Sequence, residues 1–138
     1  MHCKKSGSEK IKSDPESHGK KHIMIRKSEE MEIETRDKMR DGNGTVTIQH
    51  LLKKEDFTAK IRLCSRLTLP PGAGIGSHRH DNEDEVFVIL KGQGILDDGH
   101  SHTHVSEGDA ILTGNGESHS LKNDSSENLE LLAVIIPY

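Results

Sequence analysis

Apolar and polar residues alternate with a period of two along much of the chain that follows residue 44. Val46 and Ile48 alternate with threonine and glutamine, and Leu63, Leu67 and Leu69 share one face of a longer run. This is the period of a β-strand, in which successive side chains point to opposite faces. Gly, Asp, Asn and Pro residues interrupt these runs about every ten residues. Many short strands separated by turns predict an all-β sandwich or barrel.

The individual elements follow from these runs and from the turns between them. Strands are predicted over residues 45–50, 58–69, 86–90, 95–96, 110–112, 118–121 and 129–136. A weak helical period over residues 28–40, with Ser28 as N-cap, predicts a short N-terminal helix. Residues 1–23 carry few apolar side chains, so we expect a disordered basic extension there and a single barrel domain over residues 24–138.

The composition narrows the class of protein. Of 138 residues, 30% are hydrophobic, and no apolar run approaches the length of a membrane span. Residues 1–27 carry a charge of +5, whereas residues 28–138 hold eleven Lys and Arg against twenty Asp and Glu, a charge of −9. The acidic body argues against nucleic-acid binding. Cys3 and Cys64 lie in a polar tail and a predicted strand, so we expect no disulfide and a cytoplasmic location.

Three histidines and one glutamate form the most informative chemical pattern. His78 and His80 are one residue apart, Glu85 follows five residues after His80, and His119 comes from a later strand. Residues two apart in a strand point the same way, so the first two can reach one ion. Imidazole and carboxylate are ligands for Fe, Mn, Ni, Co or Zn. The pattern therefore predicts one divalent transition metal with one or two coordination positions left open.

The sequence around these residues resembles the two motifs of the cupin superfamily. The first reads Gly72, five residues, His78-x-His80, four residues, Glu85, six residues, Gly92. The second reads Gly108, five residues, Gly114-x-Gly116, two residues, His119, three residues, Asn123. Gly114 stands where the family usually has proline. The chain is similar, over roughly residues 45–137, to small bacterial single-domain cupins with the conserved barrel of cupin type 2.

The resemblance implies a fold and a range of functions. The fold is a double-stranded β-helix, or jelly roll, with the metal inside one end of the barrel. A homodimer is expected, because small cupins commonly pair through sheet edges and apolar outer faces. The function implied first is a metalloenzyme that acts on a small oxygen-rich substrate, such as a carboxylate or sugar acid, by dioxygenase, decarboxylase, isomerase or lyase chemistry. The alternatives are a non-catalytic module that binds a metal and a small ligand, and a structural protein with a vestigial site.

Several further residues are candidates for the site. Glu83 competes with Glu85 as the carboxylate ligand, and the family spacing favours Glu85. Arg62 and Arg66 share the polar face of the long predicted strand. If that face looks into the barrel, either can bind a substrate carboxylate in a bidentate fork. If it looks outward, as the apolar face opposite favours, both are surface or interface residues.

The substrate-binding residues we predict are His50, Arg66 and Phe87, of which Phe87 shares an inward strand face with Glu85. No general base is identified from the sequence, and Glu117 and His50 are weak candidates. His102 and His104 alternate beside a turn and are expected to face solvent.

Overall fold

Ten antiparallel strands and three 3₁₀ helices of three residues each make up the computed structural model, which describes residues 23–138. The strands are β1 (Glu32–Asp37), β2 (Thr45–Leu52), β3 (Leu63–Leu69), β4 (Gly74–Arg79), β5 (Glu83–Lys91), β6 (Gln93–Asp97), β7 (His102–Ser106), β8 (Ala110–Thr113), β9 (Ser118–Lys122) and β10 (Leu129–Pro137). No helix in this part of the chain is long and apolar enough to cross a membrane.

The strands form two sheets that share one core. The larger sheet has the order β1-β2-β3-β10-β5-β8, and the smaller has the order β4-β9-β6-β7. Strands that are distant in sequence are therefore neighbours in space, as in the pairs β3–β10 and β4–β9. This topology confirms the predicted all-β jelly roll.

Alternation along the strands builds the core as the period of two predicts. In β10, Leu129, Leu131, Ala133 and Ile135 are buried, while the residues between them are more exposed. The apolar core draws on both sheets, since buried side chains from β2, β3, β5 and β10 pack with Ile75 of β4 and its neighbours. Burial of these side chains is the main source of stability for a chain with so few aromatic residues.

The predicted short helix over residues 28–40 is wrong. A 3₁₀ turn (Ser28–Glu30) precedes β1, and a second 3₁₀ turn (Met39–Asp41) follows it. β1 pairs along its whole length with β2. Pairing with β2, the next strand, supplies hydrogen-bond partners for the backbone of β1 and outweighs the weak helical period over these residues.

The predicted strand over residues 58–69 begins late, at Leu63. Its neighbours explain the difference, because the ladder with β10 starts at the pair Leu63 and Ile135, and the ladder with β2 starts at Cys64. The paired residues therefore begin at Leu63, and before it the backbone N–H of Arg62 donates to the carbonyl oxygen of Ile135 (2.9 Å). The predicted faces are confirmed within the strand itself, where Ser65, Leu67 and Leu69 are buried and the residues between them are less so.

The remaining expectations about the N-terminus fall largely outside the described part of the chain. The predicted extension over residues 1–23 lies outside it except for Ile23, and Cys3 lies outside it as well. Cys64 is a free thiol.

Asn123, the last residue of the second motif, is completely buried and holds the loop before β10. Its Nδ2 donates to the carbonyl oxygens of Leu69 (2.8 Å) and Glu127 (2.7 Å), and its Oδ1 accepts from the backbone N–H of Ser125 (2.9 Å). These contacts tie the end of β3 to the start of β10. The motif asparagine is therefore a structural residue in this chain.

We expect Asn123→Ala to lower the free energy of unfolding by about 2–3 kcal/mol, because buried carbonyl groups lose their donor. Urea denaturation measures the change. The matched control is Asn128→Ala, at an exposed asparagine of the same loop, which should change stability by no more than about 0.5 kcal/mol. Equal effects of the two substitutions would show that the hydrogen bonds of Asn123 do not hold the loop.

Candidate metal centre

Four side chains that the sequence predicts as metal ligands meet inside one end of the barrel. His78 lies in β4 directly opposite His119 in β9. His80 follows the last residue of β4, and Glu85 lies in β5 with its side chain turned inward. Their ligand atoms all lie within 4.8 Å of one another. These four residues are called the metal centre below.

The distances within the metal centre are those of ligands around one ion. The Nε2 atom of His119 lies 3.1 Å from that of His80 and 3.2 Å from that of His78. The Oε1 atom of Glu85 lies 2.8, 3.1 and 4.0 Å from Nε2 of His80, His119 and His78. Two ligands that each lie about 2.1 Å from an ion are separated by roughly 3.0–3.4 Å when they are neighbours.

The outer ring nitrogens of all three histidines are held by the protein. Nδ1 of His78 lies 2.8 Å from the carbonyl oxygen of Gly76, and Nδ1 of His80 lies 2.7 Å from Oε2 of Glu83. These oxygens accept only, so both nitrogens carry the proton, and a neutral ring then turns the lone pair of Nε2 inward.

His119 is held in the same manner by Thr113. Its Nδ1 lies 2.8 Å from the hydroxyl of Thr113, which in turn lies opposite Glu85 in the pairing of β5 with β8. Neither Thr113 nor Gly76 was assigned a role from the sequence. Both precede a predicted ligand by a few residues, but only the folded structure shows that they contact it.

The chemistry of the donor set fits a cation. Oε1 of Glu85 is buried and has no hydrogen-bond partner, although it lies close to two Nε2 atoms. Acceptors that face one another without a proton between them repel, and a buried unpaired acceptor is costly. A bound metal ion removes both penalties, so the metal centre can hold one.

Burial sets the protonation states. His80 and His119 are each 1% exposed and Glu85 is 4% exposed. Burial alone would raise the pKa of Glu85, but its contacts with His119 and His78 outweigh this and lower it to about 2. Burial lowers the pKa of His119. At neutral pH the carboxylate is charged and this imidazole is neutral, which are the forms that bind a metal.

Comparisons with known proteins agree with this geometry. The sequence profile of the family described as "Cupin domain" matches residues 65–135. The chain belongs to the cupin family. It is 42% identical over 113 residues to a protein of Thermotoga maritima named "Oxalate-binding protein", and the match covers 82% of this chain and 93% of that relative.

Solved structures show the same relationship. The chain is 41% identical to a crystal structure described as a predicted oxalate decarboxylase from Thermotoga maritima, with a TM-score of 0.79 over 84% of this cupin and all of that chain (100%). The polyketide cyclase RemF from Streptomyces resistomycificus aligns with a TM-score of 0.67 at 16% identity, over 84% of this cupin and 80% of its own chain. The second likeness shows the shared fold alone.

The metal centre of this cupin opens into a cavity of about 100 Å³. Three of the four centre residues line it, together with arginines 36, 40 and 62 and the side chains of Met39, Ile48, Leu63, Leu67, Ile75, Phe87 and Ile135. The arginines are its exposed members and mark its mouth. The walls between mouth and metal centre are apolar.

The three mouth arginines differ in how they are held. Arg62 forms a bidentate pair with Glu83, with both N···O distances at 3.0 Å. Arg36 contacts Glu34 at 3.4 Å. Among residues 23–138, no hydrogen bond or ion pair engages the guanidinium of Arg40. In the turn after β1, the backbones of Lys38 and Arg40 are both left-handed, and φ of Arg40 is 53°.

Phe87 lines the cavity, and its ring also stacks on that of His119. The ring centroids are 4.9 Å apart and the planes differ by 16°. This stacking contact holds the face of the imidazole ring, whereas the hydrogen bond to Thr113 holds its Nδ1 atom.

Other predicted residues of this cupin lie away from the cavity. Arg66 is on the outer face of β3, paired with Glu130 at 2.6 Å. His50 is clamped between Glu34 (2.7 Å) and the buried hydroxyl of Ser65 (2.9 Å). The contact between His50 and Ser65 joins β2 to β3. These contacts within the protein explain the position of His50, so no ligand is needed to explain it.

The structure also shows where the other candidate residues from the sequence lie. Glu83 does not join the metal centre but contacts the outer nitrogen of His80. Glu117 is exposed, and its backbone oxygen accepts from the N–H of His80 at 3.0 Å. At Gly114, where the family usually has proline, a Cβ would collide with the carboxylate of Asp84. His102 and His104 are exposed, as predicted.

We expect the metal-free protein to lose stability as the pH falls below about 6.5. His119 is then protonated in the unfolded chain, whereas its lowered pKa keeps it neutral to lower pH in the folded chain. One such group contributes at most about 1.4 kcal/mol per pH unit. A further loss is expected below pH 4.5, since the pKa of Glu85 in the folded chain is about 2. Urea denaturation of chelator-treated protein between pH 7 and pH 5 measures the first slope.

The test compares two histidine variants. His119→Gln should flatten the slope between pH 7 and pH 5, whereas His102→Gln, at a solvent-exposed histidine, should leave it as in the wild type. A slope that is unchanged in His119→Gln would contradict the assignment of the loss to this ring.

Proposed function

We propose that this cupin holds one divalent transition metal in the metal centre and binds oxalate or a similarly small dicarboxylate at that ion. The observation that carries the proposal is the buried Oε1 of Glu85, which has no hydrogen-bond partner and faces the inward nitrogens of His80 and His119. A donor set of three imidazoles and one carboxylate suits Fe, Mn, Ni, Co or Zn. When bound, the ion supplies a Lewis acid that attracts carboxylate oxygens.

The cavity supports a short anion as the ligand. Its volume of about 100 Å³ leaves room for only a few non-hydrogen atoms, and its walls are apolar beyond the metal centre. At the mouth, guanidinium groups of Arg62 and Arg40 supply charged, planar donors that match a carboxylate. The name of the Thermotoga maritima relative, which refers to oxalate, supports the same ligand class.

The same cavity favours binding over catalysis. Among the described residues that line it, the ionisable ones are centre residues and arginines. Decarboxylation of a dicarboxylate needs a proton for the carbon that loses CO₂, and none of these side chains is an evident donor once the metal centre binds an ion. Glu117 and His50, the base candidates from the sequence, do not line the cavity. A metalloenzyme that decarboxylates oxalate remains the second candidate, supported by the description of the 41% identical structure.

We expect isothermal titration calorimetry to detect oxalate binding only in the metal-loaded protein. Treatment with a chelator should abolish the heat, and His119→Ala should lose both the metal and the oxalate signal. Arg40→Gln should retain the metal and weaken oxalate about tenfold, because it removes one charge-assisted contact. Acetate should bind more weakly than oxalate, since it offers one carboxylate.

Two results would overturn these assignments. Oxalate binding of equal strength with and without metal would remove the ion from the proposed site. Steady conversion of carbon-13 oxalate to formate and CO₂ by the metal-loaded protein, lost in His119→Ala, would replace the binding function with the decarboxylase.

The protein also presents a surface suited to a second copy of itself. Most outward side chains of β10, β5 and β8 are apolar, with Glu130 and Asp84 as the exceptions. We call the apolar ones the outer apolar face: Val86, Val88, Leu90, Ala110, Leu112, Leu132, Val134 and Ile136. β8 ends its sheet and pairs only with β5 among the described strands. An open edge beside exposed leucine is a site of association. These features support the homodimer expected from the sequence.

We expect Leu112→Asp to convert a dimer into a monomer, because Leu112 is 71% exposed in the single chain and lies on the edge strand of this face. Sedimentation velocity measures the change. The control is Ile33→Asp, at an apolar residue that is 60% exposed on β1, at the opposite edge of the same sheet. A wild-type protein that sediments as a monomer would rule out the dimer.

A further inference from the structure

We propose that Glu83, held by Arg62, is a positioning residue that fixes the ring of His80 for the metal and connects the metal centre to the mouth of the cavity. The inference rests on the proposed function, since it concerns the same metal centre. It follows from a continuous set of contacts. Arg62 grips both oxygens of Glu83 at 3.0 Å, and Oε2 of Glu83 accepts from Nδ1 of His80 at 2.7 Å.

His80 needs such a partner more than the other two histidines do. His78 and His119 lie opposite each other in paired strands, so the ladder of β4 and β9 sets their directions. His80 lies one residue beyond β4, and its backbone is held by the turn at Gly116 and Glu117. The strand pairing therefore does not set the orientation of the His80 ring, which depends on side-chain contacts.

The partner of His80 is also chemically distinct. The outer nitrogens of His78 and His119 meet a backbone carbonyl and a hydroxyl, both neutral. His80 alone among the three meets a carboxylate. A carboxylate bound to the outer nitrogen of a ligand histidine fixes the tautomer and increases the basicity of the nitrogen that faces the metal.

Arg62 makes this carboxylate rigid and extends the contact outward. Its fork engages Nε with Oε1 and Nη2 with Oε2, which leaves Glu83 with one orientation that also reaches His80. Arg62 also lines the cavity mouth. An anion that enters the cavity meets the same guanidinium that orients Glu83, two contacts from the metal ligand.

A matched ion pair nearby lacks this connection. Arg66 lies four residues after Arg62 and pairs with Glu130. The side-chain exposures are similar, 43% and 19% for this pair against 48% and 14% for Arg62 and Glu83. Glu130 has no contact with a residue of the metal centre among the described interactions. It serves as the control for general effects of removing an ion pair.

The experiment compares Glu83→Ala, Glu83→Gln and Arg62→Gln with Glu130→Ala in the full-length protein. The first measurement is Co²⁺ affinity by competition with a chelator. Glu83→Ala should weaken Co²⁺ binding about 10–100-fold, as loss of such an outer partner usually does. Glu83→Gln keeps an accepting oxygen and should therefore recover part of this loss. The Co²⁺ affinity of Arg62→Gln should lie between those of Glu83→Gln and the wild type. Glu130→Ala should bind Co²⁺ as the wild type does.

The second measurement needs no metal. Nitrogen-15 NMR of the metal-free protein at mildly alkaline pH reports which ring nitrogen of His80 carries the proton. The wild type and Glu130→Ala should show the proton on Nδ1, whereas Glu83→Ala should show a mixture of tautomers. A purely structural role for Glu83 would change stability without changing this tautomer.

The outcomes separate the two proposals. If the wild type binds no Co²⁺, the proposed function fails, and the tautomer of His80 still decides the role of Glu83. If the wild type binds Co²⁺ but Glu83→Ala matches it within twofold and keeps the Nδ1 proton, the positioning role is overturned. An equal loss of affinity in Glu130→Ala would overturn it as well. If Glu83→Ala does not fold, the same criteria apply to Glu83→Leu, which also removes both carboxylate oxygens.

Discussion

The convergence of three imidazoles and one carboxylate inside the barrel is the constraint on which the metal centre depends. The outer contacts of His78 and His80 turn their inner nitrogens into this centre, where Nε2 of His80 lies 2.8 Å from Oε1 of Glu85. Each unpaired buried acceptor costs about 1–3 kcal/mol, so the apolar core must hold an arrangement that is unfavourable by itself. Such local conflict is typical of a binding site built in advance for its ligand.

The strand pairing explains how the fold sustains this conflict. The register places His78 opposite His119 and Glu85 opposite Thr113, so three of the four metal-centre residues are fixed by backbone ladders. The buried residues of β10 lie between β3 and β5 and hold the larger sheet together. Moving the backbone of one of these ligands along its strand would therefore require a shift in register. A shift of one residue would move every side chain of that strand to the other face.

Sequence and structure agree where the information is local. The period of two and the turn residues predicted an all-β sandwich or barrel, and the resemblance to the two cupin motifs implied the jelly roll and the residues that converge. The sequence failed where pairing with another strand decides the outcome: residues 32–37 form β1 because β2, the next strand, is available to pair. For the same reason the bond of Glu83 to Arg62, 21 residues away, was not foreseen. From the sequence, Glu83 was an alternative to Glu85 as the carboxylate ligand, and its contact with the outer nitrogen of His80 is one that spacing cannot show.

The charge distribution argues for an anionic ligand at this position in particular. Residues 28–138 carry a net charge of −9, which repels small anions over most of the surface. The cavity mouth is an exception, because it presents arginines, and one of them, Arg40, has no carboxylate partner among the described residues. With a divalent ion behind the mouth, the positive charge would outweigh that of Glu85 within a space lined by apolar walls, where electrostatic attraction is screened less than in water. A short dicarboxylate, as proposed above, carries the negative charge that both features favour.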